Sequence, residues 1–326
     1  MKNTILITAL SILFVACDSE KKSGTTSASF QSRYTITDIG LYPEGIDYDF
    51  KNEKFLFSSL YKGAVYARNA KGEATLFVTS NKLVLPTGIY TDELRNRLIV
   101  ANADLGISQK STPTSAGSIA TVSIFNLTSG ELIKEIDLKN FTPNAGSCLN
   151  DIAVDPKGNI YITDSFSPNI YKIDDNYMAS LFVTNTIFQP APNQFGLNGI
   201  VFHPDGYLLT VKTDDSKLFK ISLSNPALIT TVTGTTFSAP DGIELDKNNN
   251  LVVVENGLGL GKTYTFSSTN NWTSASKISE TNIGKEEFPT TAALASDGNV
   301  YVINSKLGKL LAGDKTQSSY TIQRIK

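Results

Sequence analysis

The chain has 326 residues, 40% hydrophobic and 18% charged, which gives ample apolar material for a large core and excludes a disordered polypeptide over most of its length. Lys and Arg number 29 against 31 Asp and Glu, with no long run of either sign, so there is no electrostatic footprint for nucleic acid or for an anionic membrane surface. Two cysteines rule out a disulfide framework.

In chain order, Lys2 precedes an apolar run from Ile5 to Val15, too short to span a bilayer and suited to the hydrophobic region of an export signal. The run ends in Phe14-Val15-Ala16-Cys17, which resembles the lipobox of bacterial lipoproteins and so implies removal of residues 1–16 and lipidation of Cys17. A plain signal peptide with an incidental cysteine is the alternative. Residues 17–30 are polar and contain Ser and Lys, the composition of a flexible tether, and residues 31–326 are the expected folded domain. The expected address is therefore the bacterial cell envelope, with the lipid as the sole membrane attachment. Cys148, beside Leu149, then has no intramolecular partner and reads as a small buried residue rather than a nucleophile.

Six segments share one pattern, beginning at Glu44, Pro86, Leu149, Leu197, Pro240 and Pro289: a small or polar pair, an alternating apolar run, an Asp-rich turn and a second alternating run. Their equivalent positions Gly45, Gly88, Asp151, Gly199, Gly242 and Thr291 are separated by 43, 63, 48, 43 and 49 residues. The period-2 runs of Val, Ile, Tyr and Leu around turns such as Pro156-Lys157-Gly158-Asn159 are strand-hairpin chemistry. Further strand-like stretches follow, such as Val65 to Asn69 and Thr75 to Val78. Four short strands per unit, repeated six times, predict an all-β fold, a six-bladed β-propeller around a central channel. Both Tyr34 to Ile39 and Tyr320 to Ile325 are able to supply an outer strand of the last blade, and the sequence leaves open how the ring closes.

If the first strand of each blade lines the channel, the residue before the equivalent position lies near the axis on one face. Those residues are Glu44, Thr87, Asn150, Asn198, Asp241 and Thr290, all oxygen-bearing. Two carboxylates brought together repel unless a proton or a cation balances them. Calcium suits carboxylate and amide oxygens, whereas zinc wants His or Cys, which the ring lacks, and magnesium suits several protein oxygens less well. A water-filled polar channel is the alternative.

The pairs Glu44-Gly45, Asn150-Asp151, Asn198-Gly199 and Asp241-Gly242 resemble the signature of the senescence-marker-protein/gluconolactonase family, whose relatives include the paraoxonase and diisopropylfluorophosphatase propellers. The resemblance covers all six repeats and implies a calcium-dependent hydrolase of lactones or other esters. It implies Glu44, Asn150, Asn198 and Asp241 as metal ligands, and Asp241 and Asn150 as catalytic residues, with Asp241 as base or nucleophile. Cys148 stands where gluconolactonase-type relatives often carry a substrate-contacting Arg, so the likeness does not extend to that sugar contact. The single histidine, His203, falls by register in a hairpin turn away from the metal face.

The expected mechanism is polarisation of a carbonyl or phosphoryl oxygen by the metal. The second strand of each blade returns to the metal face, so Ser58, Asn102, Asp164, Lys212, Glu255 and Asn304 are expected to border the pocket. Asp164 and Glu255 would orient ligands or act as bases and Lys212 would stabilise an oxyanion, with Thr87 and Thr290 also against the substrate. Polar strand ends meeting solvent are the alternative. The insertion from Ala103 to Ser118, the segment Asn185 to Gly196 with Phe188 and Phe195, and Gly257 to Lys262 are expected to overhang this face and form an apolar substrate wall. The expected partner is a small-molecule lactone or ester met by a monomer; a binding module with a structural calcium is the competing reading.

Overall fold

Alternating apolar side chains favour a strand that buries one face, and short Asp-, Asn- and Gly-rich turns return it antiparallel to itself. The computed structural model describes residues 30–68, 73–141 and 146–326, and within them this rule produces six such units. The export signal, Cys17 and all of the tether but Phe30 lie outside the described residues. The six units belong to the compact body Gln31–Lys326.

This body opens with β1 (Arg33–Thr37). Blade 1 follows as β2 (Pro43–Asp49), β3 (Lys54–Ser59), β4 (Ala64–Arg68) and β5 (Ala74–Thr79), and blade 2 as β6 (Leu85–Asp92), β7 (Arg97–Ala103), β8 (Thr121–Asn126) and β9 (Leu132–Asp137). Blade 3 is β10 (Leu149–Val154), β11 (Ile160–Asp164), β12 (Asn169–Ile173) and β13 (Ala179–Thr184), and blade 4 is β14 (Leu197–His203), β15 (Tyr207–Lys212), β16 (Lys217–Ser222) and β17 (Ile229–Thr231). Blade 5 is β18 (Pro240–Leu245), β19 (Leu251–Glu255), β20 (Lys262–Ser267) and β21 (Ser276–Asn282). Blade 6 is built from β22 (Pro289–Leu294), β23 (Val300–Asn304) and, after the short helix α1 (Leu307–Leu311), β24 (Ser319–Arg324). Its outermost strand is β1, so that sheet runs β1-β24-β23-β22. Both terminal segments thus enter the last blade, β24 third and β1 fourth, which is how the two ends of the chain close the ring.

The core lies between blades. Ile99, Val122 and Ile124 of blade 2 pack on Ile152, Ile160 and Ile162 of blade 3, and Leu209, Val211 and Leu218 of blade 4 on Ile243, Leu251 and Val253 of blade 5. The closing junction is aromatic: Phe55 of blade 1 meets Tyr301 and Tyr34 of blade 6 at centroid separations of 5.2 and 5.9 Å. Burial of each such side chain stabilises by about 1.5–3 kcal/mol, so the ring is held by the apolar flanks of its blades, and the channel is free to be polar.

The hairpin between the two innermost strands of a blade is set by local polar chemistry. Asp155 accepts from the backbone N–H groups of Lys157 and Asn159, both at 2.9 Å, and Asp246 from those of Asn248 and Asn250. His203 occupies the equivalent corner of blade 4, stacked 4.5 Å from Tyr207 with Nδ1 accepting from the Asp205 N–H, far along its strand from the ring residue Asn198.

Candidate metal centre

Every innermost strand carries a β-bulge at one place. The ladder steps from Pro43↔Ser59 to Ile46↔Phe57 in blade 1, from Leu149↔Asp164 to Ile152↔Ile162 in blade 3, and from Pro240↔Glu255 to Ile243↔Val253 in blade 5. Blades 2, 4 and 6 shift likewise. Two residues of the inner strand thus face one on its neighbour. The first of the two is always the ring residue: Glu44, Thr87, Asn150, Asn198, Asp241 and Thr290 are all buried, and the first five line a single cavity.

The bulges also lock neighbouring blades. A Cβ on Gly45 would stand 2.5 Å from the Thr87 carbonyl oxygen, so only glycine lets the two strands approach. Hydroxyls tie other neighbouring inner strands: Thr87 Oγ1 donates to the Leu149 carbonyl and Thr290 Oγ1 to the Glu44 carbonyl, both at 2.8 Å. The two threonines therefore spend their hydroxyls on the backbone. Thr87 still lines the cavity and Thr290 does not.

Glu44 and Asp241 are the two carboxylates of the ring. Burial, followed by the charges of Asp241 and Asp151, holds the Glu44 carboxyl well above the usual carboxylate range, and its Oε2 is buried with no hydrogen-bond partner. Burial pushes Asp241 up to about 7, opposed by the amides of Asn256 and Asn198. The Asn256 amide donates to Asp241 Oδ2 at 2.8 Å. The Asn150 and Asn198 amides donate to Ser165 Oγ and Thr213 Oγ1 at 3.0 and 3.1 Å, an arrangement that turns each amide by its nitrogen. Glu44, Asp241, Asn150 and Asn198 are the oxygens able to hold a cation here. Among the described residues no group of three or more His, Cys, Asp or Glu side chains is arranged to hold a metal ion by itself, so any such centre draws on amides as well as carboxylates.

The strand-exit residues behave differently from the sequence expectation. Asp164 accepts from Ser147 Oγ, the backbone N–H groups of Cys148 and Phe166, and the Tyr171 hydroxyl at 2.8–3.0 Å. Glu255 accepts from the Ser238 N–H at 3.0 Å, the Tyr264 hydroxyl at 2.9 Å and the Leu260 N–H. Lys212 is paired with Asp214 at 2.8 Å and Asp215 at 3.3 Å. All three are buried anchors of the surrounding loops, and none lines the cavity. One residue further on, Ser165, Thr213 and Asn256 are the side chains that meet the ring. The signal was a polar pair closing the second strands of blades 3, 4 and 5, Asp164-Ser165, Lys212-Thr213 and Glu255-Asn256, whose first member pairs across the ladder and whose second turns inward.

Above the ring the walls are apolar. Leu105 and Ile107 come from the insertion, Phe195 and Leu258 from the other two segments expected there, and Leu60, Leu85, Phe288, Leu307 and Leu311 complete the lining with Cys148. Phe188 lies instead in the core against Phe219, at a centroid separation of 5.3 Å. Burial and the nearby Asp164 and Glu44 hold the Cys148 thiol well above its ordinary pKa, against a nucleophilic role.

A closed six-bladed propeller with a buried polar ring at one mouth of its channel is the class that fold and site define. The chain belongs to the SMP-30/Gluconolactonase/LRE-like family, whose description matches residues 42–283. It is 27% identical over 242 residues to the lactonase drp35 of Staphylococcus epidermidis, an alignment covering 69% of this chain and 66% of that protein. The chain thus spans just under two thirds of the length of that curated relative. Among solved structures it resembles the major Malassezia sympodialis allergen Mala s 1, with a TM-score of 0.72 at 18% identity over 91% of this chain and 97% of the other. A gluconolactonase from Xanthomonas campestris matches with a TM-score of 0.62 at 12% identity, over 90% and 89% of the two chains.

Proposed function

We propose that the chain is a calcium-dependent hydrolase of lactones or related esters, with the cation held by Glu44, Asn150, Asn198 and Asp241. The observation that carries the reading is Glu44, a buried carboxylate whose Oε2 has no partner, sharing one cavity with the second buried carboxylate, Asp241. Such a pair is stable only with a proton or a cation between its members, and the carboxylate and amide donors around it suit a hard cation. Membership of the gluconolactonase-like family supports the hydrolase part, as does the name of the staphylococcal relative.

Bound there, calcium would supply Lewis-acid polarisation of a carbonyl oxygen. The chain's own residues supply the rest. Asp241 would take a proton from the attacking water, and the Asn256 amide fixes its orientation. As water oxygen bonds to the ester carbon its proton passes to Asp241; the acyl–oxygen bond breaks and the proton goes on to the departing alkoxide, so a lactone yields a hydroxy acid. Direct addition of Asp241 to the carbonyl carbon is the nucleophilic variant of the same role. Asn150, turned by Ser165, lines the same cavity as Asp241 and would contact the reacting group from there.

Treatment with chelator is expected to abolish turnover of a panel of lactones and aryl esters, and calcium to restore it. Asp241→Ala is expected to remain at least about a hundredfold less active with calcium present. Calcium that raises the melting temperature without turnover of any substrate would favour a binding module with a structural cation, and calcium without effect would remove the metal from the reading.

We also propose export and lipid anchoring through Cys17, supported by Phe14-Val15-Ala16-Cys17 at the end of the apolar run. Cys17→Ser is expected to stop labelled fatty acid entering the protein and to release it from the membrane fraction of a bacterial host. Unchanged labelling would refute the anchor.

A further inference from the structure

We propose that this site takes a lactone or ester bearing an apolar chain and few hydroxyls, rather than a polyhydroxylated sugar lactone. The proposal rests on the hydrolase reading for the reacting group and on the walls of the cavity for the remainder of the substrate. Polar side chains are confined to the floor, where they bond largely to one another and to the backbone: Asn256 to Asp241, Asn198 to Thr213, and Thr213 to the Pro240 carbonyl at 2.7 Å. The wall above them is Leu105, Ile107, Leu258, Phe288, Leu307 and Leu311. Leu258 and Leu311 are 60% and 54% exposed, so apolar surface stands in water at the mouth.

A sugar hydroxyl placed against that wall would leave water and find no partner, weakening binding by roughly tenfold each time. A methylene in the same place is favourable, by about fourfold. Volume gives the direction of the chain. The cavity over the ring measures about 80 Å³ and is smaller than its neighbour. Phe195 lines both this cavity and a neighbouring cleft of about 440 Å³, where its ring lies 5.2 Å from Phe166 beside Pro190 and Pro192, with the amides of Gln189, Asn193 and Gln194 on the rest of the cleft wall. The apolar chain of the substrate runs along Phe195 into that cleft.

The test uses the full chain with calcium and a series of γ-lactones of constant ring and growing alkyl chain, from γ-butyrolactone to γ-decalactone, set beside gluconolactone. The matching alkyl pyrrolidinones, which are not hydrolysed, are titrated by calorimetry. The expected result is a rise of roughly three- to fourfold per methylene over the first few carbons, both in kcat/KM and in lactam affinity. Gluconolactone is expected to be turned over at least roughly a hundredfold less efficiently than γ-octalactone. Phe195→Ser and Phe166→Ser should flatten the series, with the melting temperature reporting that the fold is kept. Flat dependence on chain length, or a preference for gluconolactone, overturns the proposal and leaves the hydrolase reading standing. If no lactone is hydrolysed the hydrolase reading falls, and the lactams alone decide: affinity that climbs with chain length carries the proposal, and flat affinity ends it.

Discussion

Glu244 and Asp47 stand three residues beyond Asp241 and Glu44 on the same inner strands. The bulge makes residues three apart face the same way, so both point into the lower half of the channel, where they line a second cavity with Asp151. Burial raises all three carboxyls, Asp47 to about 6, Asp151 to about 7 and Glu244 well above its usual value. A carboxyl raised on folding contributes stability that is fully present below its unfolded value and is lost as pH rises through the folded one. Glu244 accepts a single backbone hydrogen bond, from the Leu245 N–H at 2.8 Å, which a glutamine oxygen would keep. Glu244→Gln is therefore expected to raise the melting temperature by about 2 °C or more near pH 8 and to change it little near pH 4. An equal gain at both pH values would show that charge is not the cause. Single ring residues were legible because one position repeats in six blades, but this lower cluster was not, since its residues follow no repeat: the same position holds Tyr90, Ala153, Val201 and Ala293 in the other blades.

The strand pair with its bulge is the element that builds the site. It brings a ring residue inward and packs the following residue on the next blade, which is why Gly45 tolerates no side chain. Gly45→Ala is expected to destabilise by about 2–3 kcal/mol or more, because the obstructing atom is backbone and cannot swing away. Gly206 is the useful contrast: it sits in the β14–β15 turn at φ +89° with open space where a methyl would stand, so Gly206→Ala should cost only about 1 kcal/mol, from the left-handed backbone alone. Thermal unfolding of both variants checks the difference, and equal losses would mean that blade contact is unimportant. Hairpins were readable because Asp, Asn and Gly mark their turns. Bulges were not, since an extra residue leaves the apolar alternation locally ambiguous. Nor does sequence tell which member of the pairs Asp164-Ser165, Lys212-Thr213 and Glu255-Asn256 turns inward, because both members are polar and only the ladder register separates them.

At the scale of the molecule, closure decides stability. β1 pairs with β24 over five residues, burying Tyr34 and Ile36, and the Arg68 guanidinium of blade 1 lies 3.8 Å over the Tyr34 ring. A chain beginning at Asp38 would lose those contacts and expose the edge of β24. Its melting temperature is expected to fall by roughly 10 °C, with aggregation on heating, as measured by calorimetry and light scattering. An unchanged transition would show that β1 does not close the ring. By itself the sequence determined the number of blades, the innermost strands and the six oxygen-bearing positions, because strand alternation, turn chemistry and a repeated polar pair are local patterns that recur. Only the tertiary structure decided that both termini share the last blade, that Asp164, Lys212 and Glu255 anchor loops while their neighbours meet the ring, and that leucines and phenylalanines from distant loops converge above it. Those facts depend on which blades touch across the axis, and residues far apart along the chain carry no mark of the faces they will share.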